Sequence, residues 1–403
     1  MKLEEEEWEF VSEDKQERRE FDLTKVLTVS AGHLTHDIFT AFLPPVLPLL
    51  IEKFSLSYLN SSLLNVVRKL PSLLSLLLGS AIAKLDEEYL HYLIVAAPLM
   101  TSLLMSVLGI VPSYPLLVAL LLLVGFSSSI FHILGPALIK KVSGAQVGKG
   151  ISFYQLGGEA ARTLGPLIIL GAVSKWNLEG SYRLILVGFF VSWLLYLKVR
   201  NIKISGLLEK KTTAEEFSIL DFVKKYRGFI LKIGGIRFFW SLTKIALTLF
   251  LPIYLKKIKG TSLWISGGGL SLLQLSGAVG TYVGGVISDK IGRKITISAA
   301  IIGAVVSLSL FSMLDGWVLV PLLIVLGFCI FAVYPIILAL VQTKNTQQLI
   351  KMNSFYKTVG VICTTTATLL LGQGADLIGL DLIYKLLPFS LIFSLVLILN
   401  LEN

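Results

Sequence analysis

The sequence predicts an all-α membrane protein built from two bundles of six helices, and three observations lead to this fold class. Of the 403 residues, 54% are hydrophobic and only 15% are charged. A soluble protein cannot bury that much apolar surface, so the composition is typical of a polytopic membrane protein. The apolar residues form twelve stretches of spanning length, and the one long polar interval, near 202–225, divides them into two sets of six.

The predicted spans follow one another with short polar loops between them, as expected for a chain that crosses a bilayer repeatedly. Their approximate limits are 24–52, 57–84, 89–111, 115–140, 146–174, 180–201, 226–256, 261–288, 294–314, 317–342, 348–375 and 382–401. The domain organisation is therefore a tail (1–23), a first bundle (24–201), a linker (202–225) and a second bundle (226–403). Within the linker, KKTTAEEFSILDF has the pattern of a short amphipathic helix on the membrane surface.

Lysines and arginines are distributed unevenly between alternate loops. The side with both termini and the linker carries 22 of them, and the opposite side carries 7. Positive residues accumulate in cytoplasmic loops, so we expect both termini in the cytoplasm and the protein in the plasma membrane. The net charge of +10 is thus an orientation signal, and we expect no nucleic-acid partner.

The two halves repeat each other at a nearly constant offset. Ser152-Phe153-Tyr154 with Gly158 matches Ser354-Phe355-Tyr356 with Gly360. Parallel six-helix repeats are typical of transporters whose solute site lies at the repeat interface near the bilayer midplane. By similar offsets, polar residues of the two halves correspond in pairs: His36 with Lys244, Arg68 with Gln274, and Gln155 with Lys357.

The first span carries ionisable residues near its middle, where each costs several kcal/mol unless it faces a partner or a wet cavity. These residues are His33, His36 and Asp37, and their spacing allows one helix face to present all three. Pro44, Pro45 and Pro48 follow and should break or bend the outer half of the span. We interpret this stretch as a bent helix beside a polar pathway.

The predicted membrane interior holds more positive than negative side chains. Its acids are Asp37 and Glu159, and its bases are Arg68, Lys69, Arg162, Arg237, Lys244 and Lys357. A surplus of positive charge in a low dielectric favours an anionic solute. The candidate solute-binding residues are Arg68, Arg162, Arg237, Lys244, Gln274, Lys357, Tyr154 and Gln155, and the candidate proton-coupling residues are His33, His36, Asp37, His132 and Glu159.

Several of these residues also have a structural interpretation. Glu159 and Arg162, three positions apart on a helix, can simply neutralise each other. His132 can serve as a hydrogen-bond donor between helices, and Tyr154 as a packing residue. Asp37 can be a fixed counter-charge instead of a proton carrier.

The loop after the eighth span reads Gly285-Val-Ile-Ser-Asp289-Lys290-Ile-Gly292-Arg293-Lys294. It fits G-x-x-x-D-[RK]-x-G-[RK]-[RK], and together with the twelve spans and the repeat it resembles the corresponding loop of the major facilitator superfamily. The resemblance implies the major facilitator fold and a gating role for Gly285, Asp289, Lys290, Gly292, Arg293 and Lys294. Asp289 can meet a helix N-terminus or a neighbouring base in one conformation only, whereas a simple positive anchor explains the three bases alone.

Stretches such as SAGHLTHDIFTAFLPPVLPLL and ISFYQLGGEAARTLGPL resemble the fosmidomycin-resistance-like branch of that superfamily over most of residues 25–380. The resemblance implies drug efflux by proton antiport. Two departures stand beside it. Ala83 occupies the place of the acid in the first-half copy of the loop, and no arginine lies between Pro115 and Phe131, where proton-coupled members of the superfamily carry one.

We therefore expect a secondary active transporter, not an enzyme, that moves a small anionic or amphipathic organic solute by proton-coupled alternating access. Proton symport uptake, or exchange of an organic or phosphorylated anion, is the alternative. An intramembrane enzyme or a sensor is remote, because the sequence has no H-E-x-x-H or G-x-S-x-G motif. The expected partners are the lipid bilayer, the solute and protons, with no cofactor and no metal. We expect a monomer, because each half supplies one wall of a complete pathway.

Overall fold

The computed structural model describes residues 21–200, 202, 219–344 and 349–400, and all regular structure in these residues is helical. The α-helices are α1 (Leu23–Thr40), α2 (Leu43–Phe54), α3 (Tyr58–Lys69), α4 (Ser75–Ile82), α5 (Glu87–Ser106), α6 (Tyr114–Val142), α7 (Val147–Trp176), α8 (Ile185–Val199), α9 (Ile219–Ile245), α10 (Leu251–Ile253), α11 (Leu263–Ile291), α12 (Arg293–Met313), α13 (Leu319–Lys344), α14 (Leu349–Ile378) and α15 (Leu380–Leu399). Tight 3-10 turns span Leu70–Leu74, Glu179–Leu184 and Gly316–Val318, and π-helical turns span Ala246–Phe250 and Tyr254–Ile258.

Eleven helical stretches in the described part of the chain are long and apolar enough to cross a membrane. The sequence predicts twelve, and the difference lies at 57–84. There the chain forms α3 and α4, joined by the 3-10 turn at Leu70–Leu74, so neither helix alone has spanning length. Pro71 explains the break, because it has no N–H to donate and its ring clashes with the preceding turn.

The start and the bend of the first span both follow from local sequence. Asp22 caps α1 by accepting a hydrogen bond from the backbone N–H of Lys25 at 3.0 Å. Hydrogen bonds from the side chain and backbone of Lys25 hold the pKa of Asp22 below its ordinary value. At the other end, α1 stops at Thr40 and α2 begins at Leu43, directly before two prolines, as the sequence predicts.

The helices pack as two halves. In the first half α1 packs against α5, α6, α7 and α8, and in the second α13 packs against α11 and α12 while α9 packs against α14 and α15. We call the side of the molecule where α1 begins the tail side and the opposite side the far side. The halves meet through α7 with α11 and α3 with α14.

The predicted tail and linker lie largely outside the described residues, as does most of the predicted surface helix within the linker. The structure begins describing the second half at Ile219, where α9 starts, inside the stretch predicted as linker.

Close glycine packing joins α11 to α13. A Cβ atom on Gly280 would lie 2.1 Å from the carbonyl oxygen of Phe328, and one on Gly284 would lie 2.7 Å from the Cβ of Ala332. Small residues allow this approach of two membrane helices. At Gly285, the first residue of the predicted gating motif, a Cβ would meet no atom within 4 Å, so in this conformation the close packing comes from Gly280 and Gly284, which lie one turn apart on α11.

We expect Gly280→Ala to destabilise the protein by about 1–3 kcal/mol, because the added methyl group must push two backbones apart. Gly268→Ala on the same helix is the matched control, since a Cβ there meets nothing within 4 Å and alanine favours a helix by up to about 1 kcal/mol over glycine. The midpoint of thermal unfolding in detergent measures both. Equal midpoints for the two variants would contradict the close crossing at Gly280.

Candidate functional site

A cavity of about 1260 Å³ lies between the two halves. Its walls come from α1, α3, α6 and α7 on one side and from α9, α11 and α13 on the other. The halves contact each other on the far side, where Leu170 of α7 packs on Gly267 of α11 and Asp376 of α14 reaches Tyr58 of α3. The cavity lining instead extends toward the tail side, as far as Ser152 and Ala339.

A carboxylate between two histidines forms part of the first-half wall. Asp37 Oδ2 lies 3.3 Å from His33 Nε2, one turn earlier on α1, and Asp37 Oδ1 lies 3.4 Å from His132 Nε2 on α6. Asp37 is buried but lines the cavity, and the side chain of His132 is 44% exposed. The cluster therefore has two buried members, His33 and Asp37, and one member, His132, that is open to the cavity.

The hydrogen bonds of His33 determine where its protons lie. Its Nδ1 is 2.7 Å from the backbone oxygen of Tyr154, which can only accept, so Nδ1 carries a proton. Its Nε2 faces Asp37 Oδ2, and two lone pairs would repel each other at this distance. The His33–Asp37 pair is thus arranged to share one proton, as an imidazolium with a carboxylate or as a neutral imidazole with a carboxylic acid.

Packing fixes the ring of His33. It stacks on the ring of Tyr154, with centroids 3.9 Å apart and planes 11° apart. Gly158, one turn further along α7, leaves room for it, because a Cβ there would lie 2.7 Å from His33 Cε1. His36 is different: it is fully buried, stacks on Phe131 at 4.6 Å, and neither ring nitrogen has a partner in the described part of the chain.

Basic side chains of the first half surround this cluster. Arg68 donates from Nη1 to the carbonyl of Thr40 at 2.6 Å and from Nη2 to Asn65 Oδ1 at 3.2 Å. These bonds turn the guanidinium into the cavity, beside Lys69. On α7, Arg162 forms an ion pair with Glu159, and both line the cavity.

The second half contributes a lysine within an aromatic cage. Lys244 Nζ lies 4.7 Å from the ring centroid of Trp240, 5.2 Å from that of Phe331 and 5.6 Å from that of Tyr334. The indole N–H of Trp240 donates to the carbonyl of Ile330 at 3.0 Å, which fixes that wall of the cage. The faces of such rings attract an ammonium group.

The cavity lining therefore has an excess of positive charge. Both of its acids are paired, Asp37 with His33 and Glu159 with Arg162. The remaining bases, Arg68, Lys69 and Lys244, have no acid within ion-pair distance among the described residues. The positive groups come from both halves, so an anion between the halves could contact the two walls at once.

Arg237 lies behind the cage and outside the cavity lining. Its Nη1 donates to the hydroxyl of Tyr356 at 2.6 Å, and its Cζ lies 4.3 Å from the ring centroid of the same residue. Gly360 leaves room for it, since a Cβ there would lie 1.9 Å from Arg237 Nη2. The repeat motif thus has the same use in both halves: a tyrosine and a glycine on one helix hold a basic side chain, His33 or Arg237, of the half's first helix.

The structure brings together some of the predicted residues and separates others. Arg68, Gln155, Arg162, Lys244 and Gln274 line the cavity together with Asp37, His132 and Glu159. Tyr154, His33, His36 and Arg237 lie behind its walls, and Lys357 is exposed outside its lining. Of the residue pairs matched across the repeat, only Arg68 with Gln274 lines the cavity with both members.

Sequence reasoning missed the residues that orient these charges. Asn65 and the carbonyl of Thr40 hold Arg68, and Tyr334 and Phe331 complete the cage of Lys244. Nothing in the sequence signals the cage, because its rings come from helices far apart in the chain.

The atoms of His33, Asp37 and His132 that could bind a metal lie within 4.8 Å of one another. His33 and Asp37 contact each other at 3.3 Å within this set. The unpaired Arg68, Lys69 and Lys244 in the same cavity oppose a divalent cation.

The predicted gating loop lies at the tail side, between α11 and α12. Gly292 forms the turn with φ of +97°, which favours glycine. Arg293 donates to the carbonyl of Ala339 on α13 at 3.1 Å. Asp289 is exposed, and no ion pair joins it to another residue in the ranges that the structure describes.

Comparisons of the sequence with known proteins all lead to one transporter superfamily. The sequence model of the Major Facilitator Superfamily matches residues 29–368. The fosmidomycin resistance protein of Escherichia coli (strain K12) is 22% identical over 90% of this chain and 88% of its own length. An uncharacterized MFS-type transporter of Bacillus subtilis (strain 168) is 24% identical over 69% of this chain and 68% of its own.

Two solved structures share the fold. The nucleoside transporter NupG superposes with a TM-score of 0.71 and 11% identity, covering 94% of this chain and 100% of its own. A bacterial homologue of the human lysosomal transporter Spinster, inward-facing and unoccupied, gives 0.72 and 13%, covering 93% and 94%. At these identities the likeness concerns the fold alone.

The two repeat tyrosines should respond differently to loss of the hydroxyl group. Tyr356→Phe removes the hydrogen bond to buried Arg237 and should destabilise the protein by about 1–3 kcal/mol. Tyr154→Phe is the matched control, because its hydroxyl has no partner in the described structure and its stacking on His33 remains. Thermal unfolding midpoints test this, and an equal effect of both variants would contradict the role given to the Tyr356 hydroxyl.

Proposed function

The chain belongs to the Major Facilitator Superfamily, and from this we propose a proton-coupled transporter that moves a small organic anion across the plasma membrane by alternating access. The observation that carries the proposal is the composition of the cavity wall. Three unpaired bases contributed by both halves face the cavity. A histidine–carboxylate pair that can share one proton lies at the first-half wall.

Charge is the argument for an anionic solute. Arg68 and Lys69 on one wall and Lys244 on the other have no acidic partner among described residues, so an anion between them would relieve their mutual repulsion. The aromatic rings around Lys244 suit an organic solute that also presents an apolar surface. An amphipathic anion fits both features.

Alternating access follows from the arrangement of the two halves. They contact each other on the far side and leave a cavity that extends to the tail side, so the opposite state requires the halves to rock about the central site. In our proposal the gating loop forms its contact in that opposite state. Asp289 is without an ion pair among described residues here and would then meet a helix N-terminus or a base of the first half.

Proton coupling is assigned to Asp37 with His33 and His132. A single residue, His132, lies between the shared proton of the His33–Asp37 pair and the cavity, because His132 contacts Asp37 and is itself exposed to the cavity. A wet cavity favours the charged form of the pair and a dry one favours the neutral form. Loss of the shared proton through His132 to the cavity leaves Asp37 as a carboxylate, and uptake of a proton by the same route restores the pair, so exposure to one side and then the other moves a proton across. His36 is packed away from the cavity and has no part in this route.

The direction we propose is efflux by proton antiport. Its support is the similarity to the fosmidomycin resistance protein, which covers 90% of this chain. The unequal distribution of lysine and arginine supports a cytoplasmic position for the tail side and both termini. Each half supplies one wall of one cavity, which supports our proposal that the functional unit is a monomer.

A flux assay in liposomes tests the proposal. Purified protein is reconstituted, a pH gradient of either sign is imposed, and uptake of a panel of radiolabelled organic anions, including phosphonates, is measured. Antiport gives accumulation against the proton flow, and symport gives accumulation with it. Absence of gradient-driven movement for every anion, with movement of neutral or cationic solutes instead, would overturn the anionic assignment.

Asp37→Asn should abolish accumulation driven by the pH gradient while leaving exchange of solute down its own gradient, because the amide keeps the shape but holds no exchangeable charge. Asp315→Asn, outside the cavity lining, is the control and should behave as the parent. Asp37→Asn protein that still concentrates solute would show that another group carries the proton.

Lys244→Met should weaken anion binding about 10- to 150-fold, the loss expected for a charge-assisted contact worth about 1.5–3 kcal/mol. Lys357→Met is the matched control, because this lysine lies on α14 outside the cavity lining. Binding is read from the ligand-induced rise in the unfolding midpoint, using an anion identified in the flux assay. Equal weakening by both variants would show that total charge matters and the position of Lys244 does not.

A further inference from the structure

The far-side closure of the two halves contains a carboxylate that caps a helix of the other half. Asp376, near the end of α14, accepts hydrogen bonds from the backbone N–H of Tyr58 at 2.7 Å and of Leu59 at 2.8 Å. These are the first two N–H groups of α3. Ser57 caps the third, that of Asn60, at 3.1 Å. Two of the orphan donors at this helix start are thus satisfied from the opposite half.

Glycine packing supports the same contact one turn away. A Cβ on Gly372, four residues before Asp376, would lie 2.2 Å from Ser62 Oγ and 2.9 Å from the carbonyl oxygen of Tyr58. Positions four apart share a helix face, so Gly372 and Asp376 present one face of α14 to Tyr58 and Ser62 on one face of α3. The close approach set by the glycine brings the carboxylate within reach of both N–H groups.

A second contact between the halves on the far side is weaker. Lys256 lies 3.1 Å from Glu52, but the two side chains are 25% and 54% exposed. Exposed ion pairs between flexible side chains contribute little. The carboxylate of Asp376 uses both oxygens on fixed backbone donors at a helix N-terminus, where a negative charge is favoured.

We propose that Asp376 is the far-side latch of this transporter: its carboxylate holds the two halves together in the conformation seen here and is released once in each transport cycle. The proposal rests on the alternating access proposed above. In that cycle Asp376 on the far side and Asp289 on the tail side form their contacts alternately. Asp376 is engaged while Asp289, at the tail side, has no ion pair among the described residues.

The test uses a cysteine reporter whose exposure depends on the far-side contact and not on any solute. Cys329 and Cys363, both buried and free, are first replaced by alanine. Ser62→Cys then places a thiol in the α3–α14 contact, where Ser62 is fully buried and its hydroxyl has no partner in the described structure. The rate of its reaction with a membrane-impermeant maleimide is measured in nanodiscs, which leave both sides accessible.

Asp376→Asn should raise the reaction rate of Ser62→Cys about tenfold, because the amide loses the charge and offers one acceptor oxygen where the carboxylate offers two. Asp381→Asn is the matched control. This residue pairs with Lys385 within the same half and should leave the rate unchanged. Glu52→Gln should have a smaller effect than Asp376→Asn.

A second reporter separates opening from unfolding. Ala278→Cys lines the cavity, which the tail side reaches in this conformation. Release of the far-side latch should not speed its labelling, whereas unfolding would speed labelling at both positions. Faster labelling at both in Asp376→Asn would therefore contradict the latch.

The remaining outcomes are distinct. Equal, measurable labelling of Ser62→Cys with and without Asp376→Asn would overturn the latch and leave alternating access standing. No labelling in either protein would overturn both, because the far side would then never open.

Discussion

A basic side chain buried within each half is the constraint on which the rest of this structure depends. A charge inside an apolar bundle costs several kcal/mol unless the surrounding groups compensate it. In the first half His33 is compensated by Asp37 and the carbonyl of Tyr154. In the second half Arg237 has no acid nearby among described residues and is held by the ring faces of Trp240, Tyr334 and Tyr356.

This difference separates the roles that we propose for the two halves. The first half contains a pair that is neutral overall while it holds its one proton, and loss of that proton leaves the Asp37 carboxylate in contact with His132. The second contains a fixed guanidinium, and Lys244 lies on two of the same rings, Trp240 and Tyr334. Two positive groups packed against the same aromatic rings attract an anion. In the function proposed above, the proton-carrying pair lies in the first half alone, whereas both walls attract the anion, through Arg68 and Lys69 on one side and Lys244 on the other.

The sequence predicts much of this, to the extent that the features are local or repeated. Span lengths depend on hydropathy alone, and the repeated Tyr–Gly motif identified two residues that prove equivalent in space, Tyr154 and Tyr356. The spacing of residues along one helix did not predict how deeply a side chain is buried or which way its helix face is turned. Arg237 and Lys244 are two turns apart and share a helix face, yet only Lys244 lines the cavity. The inward position of a side chain depends on neighbouring helices such as α13, and no periodicity within one helix reveals those.

The contact between α3 and α14 is a second feature that the sequence does not predict. Asp376 and Tyr58 are 318 positions apart, and no repeat or motif connects them. Within each half, helices meet through backbone-close glycines, as at Gly280 on Phe328, which resist sliding. In the cycle proposed above the halves move as rigid bodies, and the contacts that change are those between them. A carboxylate on two backbone N–H groups suits that exchange, because both partners can be rehydrated when the contact opens.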